Sequence, residues 1–288
     1  MGLTRATVDL HVHTTASDGN LSPAEVVRAA KAAGLEAIAI TDHDTVAGLA
    51  EALDAGRREG LDVLTGVELS ADLPGSTMHI LGYEIDPTDP ALLDALSRIR
   101  RDRDERNPRI LARLAEMGMP LEAEAVRAKA RGETVGRPHI AQCMVDAGYV
   151  RACDEAFLRY LARGAPAYVE RRRVSPEEAV QLIRVGGGLA ALAHPKQIQR
   201  PAAEVRALAA RLAEGGLEGI EVYHPDHSAA DSATYRVLAR DLGLVVTGGT
   251  DFHGRVHQGV RLGVGRGNLR VPCEAVREIR DRLARRVR

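Results

Sequence analysis

The chain of 288 residues contains no tryptophan and only 3% aromatic residues, so a base-stacking platform built from many rings is not expected. Its three cysteines, Cys143, Cys153 and Cys273, are odd in number and lack short metal-binding spacing. That argues against a disulfide framework or a zinc ribbon and for a reducing compartment. No apolar run approaches the roughly 18 residues of a membrane span. The opening stretch MGLTRATVDLHVH has no apolar core, so no secretory leader is expected and the reading is a cytoplasmic protein. Net charge is −1, so bulk electrostatics will not draw the chain onto nucleic acid and any basic site must be local. Three catalytic signatures are also missing: the P-loop, the G-x-S-x-G elbow and H-E-x-x-H. Gly186-Gly187-Gly188 precedes a strand-like run rather than following one, which fits a turn and not a dinucleotide loop.

What the chain does have is histidine: ten residues, six of them at or near the ends of strand-like runs. Alternating apolar segments predict strands over 7–13, 37–43, 63–69, 78–83, 189–194, 219–224 and 244–250. Between them lie helical patterns. Ser22-Pro23-Ala24-Glu25 and Ser175-Pro176-Glu177-Glu178 are capping boxes. Further helices are expected over 46–60, 202–214 and 229–242, and a C-terminal one from Pro272. This alternation implies a mainly parallel sheet, with chemistry at the C-terminal ends of the strands. The third and fourth strands are too close for a crossover helix, so their join is expected to be antiparallel. Residues 91–163 carry no strand pattern and read as a helical insertion between barrel segments 1–90 and 164–288.

Five segments concentrate chemistry: DLHVHTTASDG (9–19), TDHD (41–44), GVELS (66–70), AHP (193–195) and TDFHG (250–254), with His79 in MHILGY beside them. On a strand, alternation puts Asp9, His11 and His13 on one face, where the two imidazoles can share an ion. Each histidine alone reads as easily as a satisfied core or surface residue. Six at strand ends, joined by Asp18, Glu68 and Asp251, do not converge by accident. Mixed imidazole and carboxylate donors suit manganese, zinc or iron. They are too many for one tetrahedral ion and fit two or three ions with a carboxylate bridge. Asp9, Asp42 and Asp44 are expected to orient imidazoles, or else to solvate strand ends, with Asp44 as an alternative helix N-cap.

In this order the motifs DLHVHTTASDG, ITDHD, GVELS with HILGY, AHP and GGTDFHG resemble those of the PHP (polymerase and histidinol phosphatase) phosphoesterases, within the broader amidohydrolase-like group. The resemblance spans nearly all the chain outside the insertion. It implies a distorted (β/α)7 barrel with a helical insertion, and a metal-dependent phosphoesterase. It further implies that His11, His13, Glu68 and Asp251 hold one ion, that Glu68 bridges to a second held by His79 and His194, and that Asp18, His43 and His253 hold a third. Asp18 stands where several members have histidine. His194, Asp251 and His253 are the expected catalytic groups among these, and the expected cofactors are two or three divalent ions, manganese first, zinc or iron next.

Similar stand-alone members act on nucleoside 3′,5′-bisphosphates or as 5′-to-3′ exoribonucleases on short RNA. The expected reaction is hydrolysis of the 3′-phosphate of a nucleoside 3′,5′-bisphosphate; the alternative is 5′-3′ exoribonuclease action on short 5′-phosphorylated oligonucleotides. Expected partners are thus a nucleotide or short oligonucleotide, with no membrane and no obligate protein. Arg137 and His139 in the GRPH segment, His224 after the sixth strand and Lys196 after the fifth are the expected substrate-binding groups, each weighed against an ordinary surface or helix-entrance role. The arginine-rich stretch RIRRDRDERNPRILAR reads rather as a solvated helix face, and His257 and the C-terminal helix as structural. Two rivals are an inert PHP scaffold, opposed by the complete ligand set, and an amidohydrolase acting on C–N bonds, opposed by the lack of a strand lysine.

Overall fold

The computed structural model describes residues 7–73, 76–130, 132, 135–170, 174–254, 259–267 and 269–286; His257 and the first six residues lie outside them. Seven strands follow the alternating runs: β1 Thr7–Val12, β2 Ala37–Ile40, β3 Asp62–Leu73, β4 Ser76–Tyr83, β5 Leu189–Leu192, β6 Gly219–Tyr223 and β7 Val245–Gly248. An eighth, β8 (Val271–Pro272), is too short to leave an alternation in the sequence. The order is β7-β6-β5-β4-β3-β2-β1-β8. β1, β2 and β3 run parallel, as do β5, β6 and β7. β4 is antiparallel to both its neighbours, as the short join requires. The chain leaving β7 returns to β1, where the His13 N–H donates to the Phe252 carbonyl at 2.9 Å and nearly closes the sheet into a barrel.

The strands face two apolar layers. Ile38, Ile40, Val67, Ile80, Leu192, Ile220 and Val222 pack against the outer helices α1 (Pro23–Ala32), α2 (Leu49–Glu59), α7 (Pro176–Val185), α8 (Ala202–Glu214) and α9 (Ala229–Leu242). Ala37, Leu64, Leu81, Leu189 and Val245 form the other layer with Ala275, Val276 and Ile279 of α10 (Glu274–Arg286). Most of these stand at the starts of the parallel strands. α10 therefore covers the end of the barrel away from the strand C-termini and leaves the other end for chemistry. It begins two residues after Pro272, which sits in β8 rather than opening the helix.

One expected face is corrected. The β1 register shifts between Asp9 and Val12, a bulge that re-aims the side chains beyond it. Val8 and Leu10 lie in the inner layer while Val12 lies in the helix-facing one. Asp9 therefore does not share a face with His11 and His13. It accepts hydrogen bonds from Thr250 N–H, Thr250 Oγ1 and Gly263 N–H instead.

Beyond β4 the chain is helical: α3 Pro90–Glu116, α4 Ala123–Lys129, α5 Arg137–Asp146, α6 Cys153–Ala156 and a π-helical turn Phe157–Leu161. Asp89 caps α3 by accepting the Leu92 N–H at 2.7 Å. Leu92, Leu96 and Ile99 of α3 join the barrel core, whereas Ile110 and Leu114 enter a separate cluster with Val126, Ile140, Met144, Leu161 and Val169. Polar and close backbone contacts also tie this segment to the barrel. Arg100 donates to the Asp44 carbonyl, Arg163 donates to the carbonyls of Leu73 and Ser76, and Gly132 lies against the backbone of Thr15 and Ala16. A Cβ on Gly132 would come within 2.4 Å of both carbonyl oxygens. The arginine-rich stretch is not wholly a solvated face, because Arg106 and Asn107 are buried and Asn107 donates to the Val135 carbonyl.

Candidate metal centre

The expected histidines and carboxylates converge at the strand C-termini. His79 comes from near the start of β4, and it reaches the same end because β4 runs opposite to its neighbours. Glu68 on β3 is the hub. Its Oε1 lies 2.8 Å from His79 Nδ1 and 3.0 Å from His194 Nε2. Its Oε2 lies 3.4 Å from His11 Nε2, 3.2 Å from His13 Nε2 and 3.0 Å from His43 Nδ1. Asp251 Oδ1 sits 3.4 Å from His11 Nε2 and 3.1 Å from His13 Nε2. Asp18 lies 3.2 Å from His253 Nε2 and 3.9 Å from His43 Nε2. Glu68, His11 and His13 are fully or almost fully buried.

The loops that carry these groups are held by short polar side chains. Asp42 accepts from the Thr14 N–H, Thr14 Oγ1 and Ser17 Oγ, and so fixes the loop that bears Asp18. Asp9 does the same for the loop bearing Asp251 through Thr250. Asp44 accepts from the Ser70 N–H, and α2 starts at Leu49, so Asp44 is not its N-cap. Asp9 and Asp42 thus orient backbone rather than imidazoles. Three site residues, Asp44, His194 and Asp251, hold positive φ of 54°, 23° and 52°. Such strain persists only where neighbours over-determine it. Gly249 explains the glycine pair before Thr250: a Cβ there would lie 2.3 Å from the His11 nitrogen.

The donor set fits cations. His11 Nδ1 must donate to Glu221 Oε1 at 3.0 Å, since a carboxylate only accepts. Its Nε2 lone pair then faces the oxygens of Glu68 and Asp251. His253 repeats the arrangement, with Nδ1 donating to the Asp251 carbonyl at 2.8 Å and Nε2 facing Asp18. Acceptors facing acceptors need a proton or a cation between them. His11 Nε2, His13 Nε2 and Glu68 Oε2 make no hydrogen bond although buried. Three overlapping groups could hold an ion: His11, His13, Glu68 and Asp251; His13, Asp18, His43 and His253; and His43, Glu68 and His79. Such sites suit divalent metals.

Electrostatics agree. In the metal-free protein burial raises the Glu68 carboxyl, but His43, His79 and His11 outweigh it and hold it well below the carboxylate range. Asp18 and Asp251 are held well below it in the same way, against burial, by His253 and His43 and by His11 and His253 respectively. Burial lowers His79 to about 4, with Glu68 opposing. Glu68, Asp18, Asp251 and His79 thus present lone pairs at neutral pH, whereas carboxylate neighbours raise His11 and His13 against burial, so that protons occupy these imidazoles where cations would sit.

The other expected residues are distributed differently. His224 is buried, its Nδ1 accepting the Asp226 N–H and its Nε2 lying 3.7 Å from Asp251 Oδ2, so it borders the cluster. Lys196 pairs with Asp231 at the N-terminus of α9. His139 Nδ1 accepts the Gly136 N–H at the start of α5. Arg137 donates to the Leu161 carbonyl and stands over the rings of Phe157 and Tyr168, 5.6 Å from each centroid. None of the three lysines, Lys31, Lys129 and Lys196, lies on a strand. Glu221 is the residue that the motifs miss. Its signal is a single carboxylate inside the apolar run of β6.

Comparison with known proteins gives the family. The PHP domain family matches residues 9–125. A 3′,5′-nucleoside bisphosphate phosphatase of Chromobacterium violaceum is 38% identical over 256 residues, covering 86% of this chain and 87% of the relative. The 5′-3′ exoribonuclease Rnm of Escherichia coli is 36% identical over 247 residues, covering 85% and 84%. The solved structure of an amidohydrolase from C. violaceum, with bound sulfate and no metal, matches with a TM-score of 0.87 at 35% identity over 96% of this chain and 97% of its own. Among the described residues no helix is long and apolar enough to cross a membrane. A barrel of this topology, a histidine and carboxylate cluster at its mouth and relatives alike along almost their whole length lead to one conclusion: the chain belongs to the PHP-domain phosphoesterases, hydrolases of phosphoric esters.

Proposed function

We propose that this protein removes the 3′-phosphate from nucleoside 3′,5′-bisphosphates in the cytoplasm, with manganese as its metal. The observation that carries the reading is the convergence of five imidazoles on Glu68, in a chain 38% identical to a nucleoside bisphosphate phosphatase. Glu68 would bridge two metal positions, one with His11, His13 and Asp251, the other with His79 and His194. Asp18, His43 and His253 would hold a third. Divalent cations there supply a nucleophile from water near neutral pH and neutralise charge on the phosphoryl oxygens.

The chain's own groups do the rest. His194, Asp251 and His253 act as catalytic groups that orient the reacting phosphate. His224 offers substrate a donor, because the Asp226 N–H occupies its Nδ1 and leaves the proton on Nε2. The helical segment 91–163 serves as a lid that contributes Arg137 and His139 to a terminal phosphate. Lys196, paired with Asp231, is the outermost of the substrate groups.

The 36% identity to an exoribonuclease favours a second reading, release of nucleotides from short 5′-phosphorylated RNA. Phosphate release from nucleoside 3′,5′-bisphosphates should be compared with mononucleotide release from 5′-phosphorylated tri- and tetranucleotides. A higher kcat/KM on the bisphosphates supports the first reading; a higher value on RNA replaces it with the second.

A further inference from the structure

We propose that Glu221 is a positioning residue that sets two metal positions at once, an inference that rests on the metal-centre reading above. Glu221 is fully buried on β6, and its two oxygens have different tasks. Oε1 accepts from His11 Nδ1 at 3.0 Å. Oε2 accepts from the backbone N–H of His194 at 2.7 Å. The first bond puts the His11 proton on Nδ1 and aims the Nε2 lone pair at the space shared with Glu68 and Asp251. The second holds His194 in its φ of 23°, the turn that brings its Nε2 to within 3.0 Å of the other Glu68 oxygen. The β6 register shifts between Glu221 and Tyr223, so the strand is irregular where this side chain is placed.

Only a carboxylate can serve both bonds, because both partners are donors. A glutamine of the same shape has one oxygen and one NH2. If its oxygen takes the His194 N–H, its NH2 faces His11 Nδ1, and the imidazole proton is driven to Nε2, where a metal would bind. If its oxygen takes His11, its NH2 meets the His194 N–H, and the strained turn loses its anchor. Either way one metal position is disarmed with little change in volume.

The test is zinc binding to chelator-stripped wild type and Glu221→Gln, read by competition with a chromophoric chelator and by elemental analysis. The expected result is folded Glu221→Gln with zinc affinity weaker by about 10- to 100-fold, the usual effect of removing a group that orients a ligand. Unchanged affinity and stoichiometry in the variant overturns the proposal. So does a lower melting temperature of the metal-free variant with full zinc affinity in its folded fraction, since that is a purely structural role. A wild type that takes up no zinc overturns the metal-centre reading itself, a separate failure. If Glu221→Gln does not fold, long-range 15N–1H spectra of zinc-loaded wild type decide: a His11 proton on Nδ1 is expected, and one on Nε2 overturns the proposal.

Discussion

The barrel mouth and the helical segment are stabilised by different means. At the mouth, charged and titratable groups are buried, and each is held by another: Glu68 by five imidazoles, the loop of Asp18 by Asp42, the loop of Asp251 by Asp9. The barrel helices α1, α7 and α9 each begin with a full capping box. In the helical segment the ion pairs Lys129–Asp146 and Arg159–Glu155 lie at the surface and a small apolar cluster of its own carries the packing; α4 and α6 begin without a side-chain cap, as α2 and α8 of the barrel also do. The contrast separates two demands on one enzyme. Chemistry needs atoms fixed to fractions of an ångström, whereas a segment acting as the proposed lid would be freer to vary and move, a task that low local stability suits.

The strongest way to sharpen this contrast is to remove the hub. Glu68→Ala takes away both oxygens that face the imidazoles. Metal content should fall to one ion or none per chain, and phosphate release should fall by about a thousandfold, the upper range for losing one electrostatic stabiliser. Elemental analysis beside a phosphate-release assay checks both. Full metal content with full activity would show that the mouth is not built around Glu68.

The next effect belongs to the segment. Arg137→Ala should raise KM for substrates that end in a phosphate by about tenfold to a hundredfold, the equivalent of a charged hydrogen bond of roughly 1.5–3 kcal/mol. A phosphodiester with neutral ends should be nearly unaffected, and metal content should not change. Arg137→Lys keeps the charge but loses the packing on Phe157 and Tyr168, so it should recover only part of the loss. Equal KM increases for both substrate classes would mean that Arg137 acts only through the Leu161 carbonyl and the two rings.

The same contrast explains what the sequence makes legible. Strand period and strand-end histidines can be read directly, because a barrel mouth collects the residues just past its parallel strands. The antiparallel β4 follows from a short join, and with it the place of His79. The β1 bulge leaves no mark in the alternation, so Asp9 reads as a neighbour of His11 although it holds Thr250. Glu221 is hidden because a lone acid in an apolar strand has no motif; only the two donors it meets reveal its task. The helical segment is legible as helical and little more. Its contacts, such as Gly132 against Thr15 and Ala16, depend on tertiary packing that no local pattern encodes.

A third prediction uses pH. In the metal-free protein burial lowers His13, but the carboxylates of Asp251 and Glu68 beside it outweigh that and raise the imidazole from 6.5 to about 8. The bound proton therefore stabilises the fold below pH 6.5, and that contribution is lost as pH rises through about 8. It is worth about 2 kcal/mol. The melting temperature of stripped protein should fall over this window. Metal-loaded protein should not follow it, because cations there take the place of the proton. The exposed Lys129–Asp146 pair of the segment should add almost nothing to the profile. Parallel profiles for stripped and loaded protein would remove His13 from the metal centre.

The smallest effect is expected where the segment lacks a cap. Glu122 is the N-cap residue of α4, with φ −76° and ψ 133°, the extended geometry that serine adopts at such positions, yet its side chain caps nothing. A serine oxygen there can accept one of the orphan N–H groups of the first turn, as Ser22, Ser175 and Ser228 do for α1, α7 and α9. Glu122→Ser gives up the attraction of an acid for the positive end of the helix, which is smaller for an exposed group. The net gain should be up to about 1 kcal/mol and local. Hydrogen exchange should slow in α4 and the helices packed on it while the barrel strands and metal affinity stay unchanged. Because Val126 of α4 packs in the segment's own apolar cluster, the effect of the cap should stay mostly within that cluster. Slower exchange in β1, β3 and β7 as well would show that segment and barrel open as one unit, and the proposal of a separate lid over a fixed mouth would have to be given up.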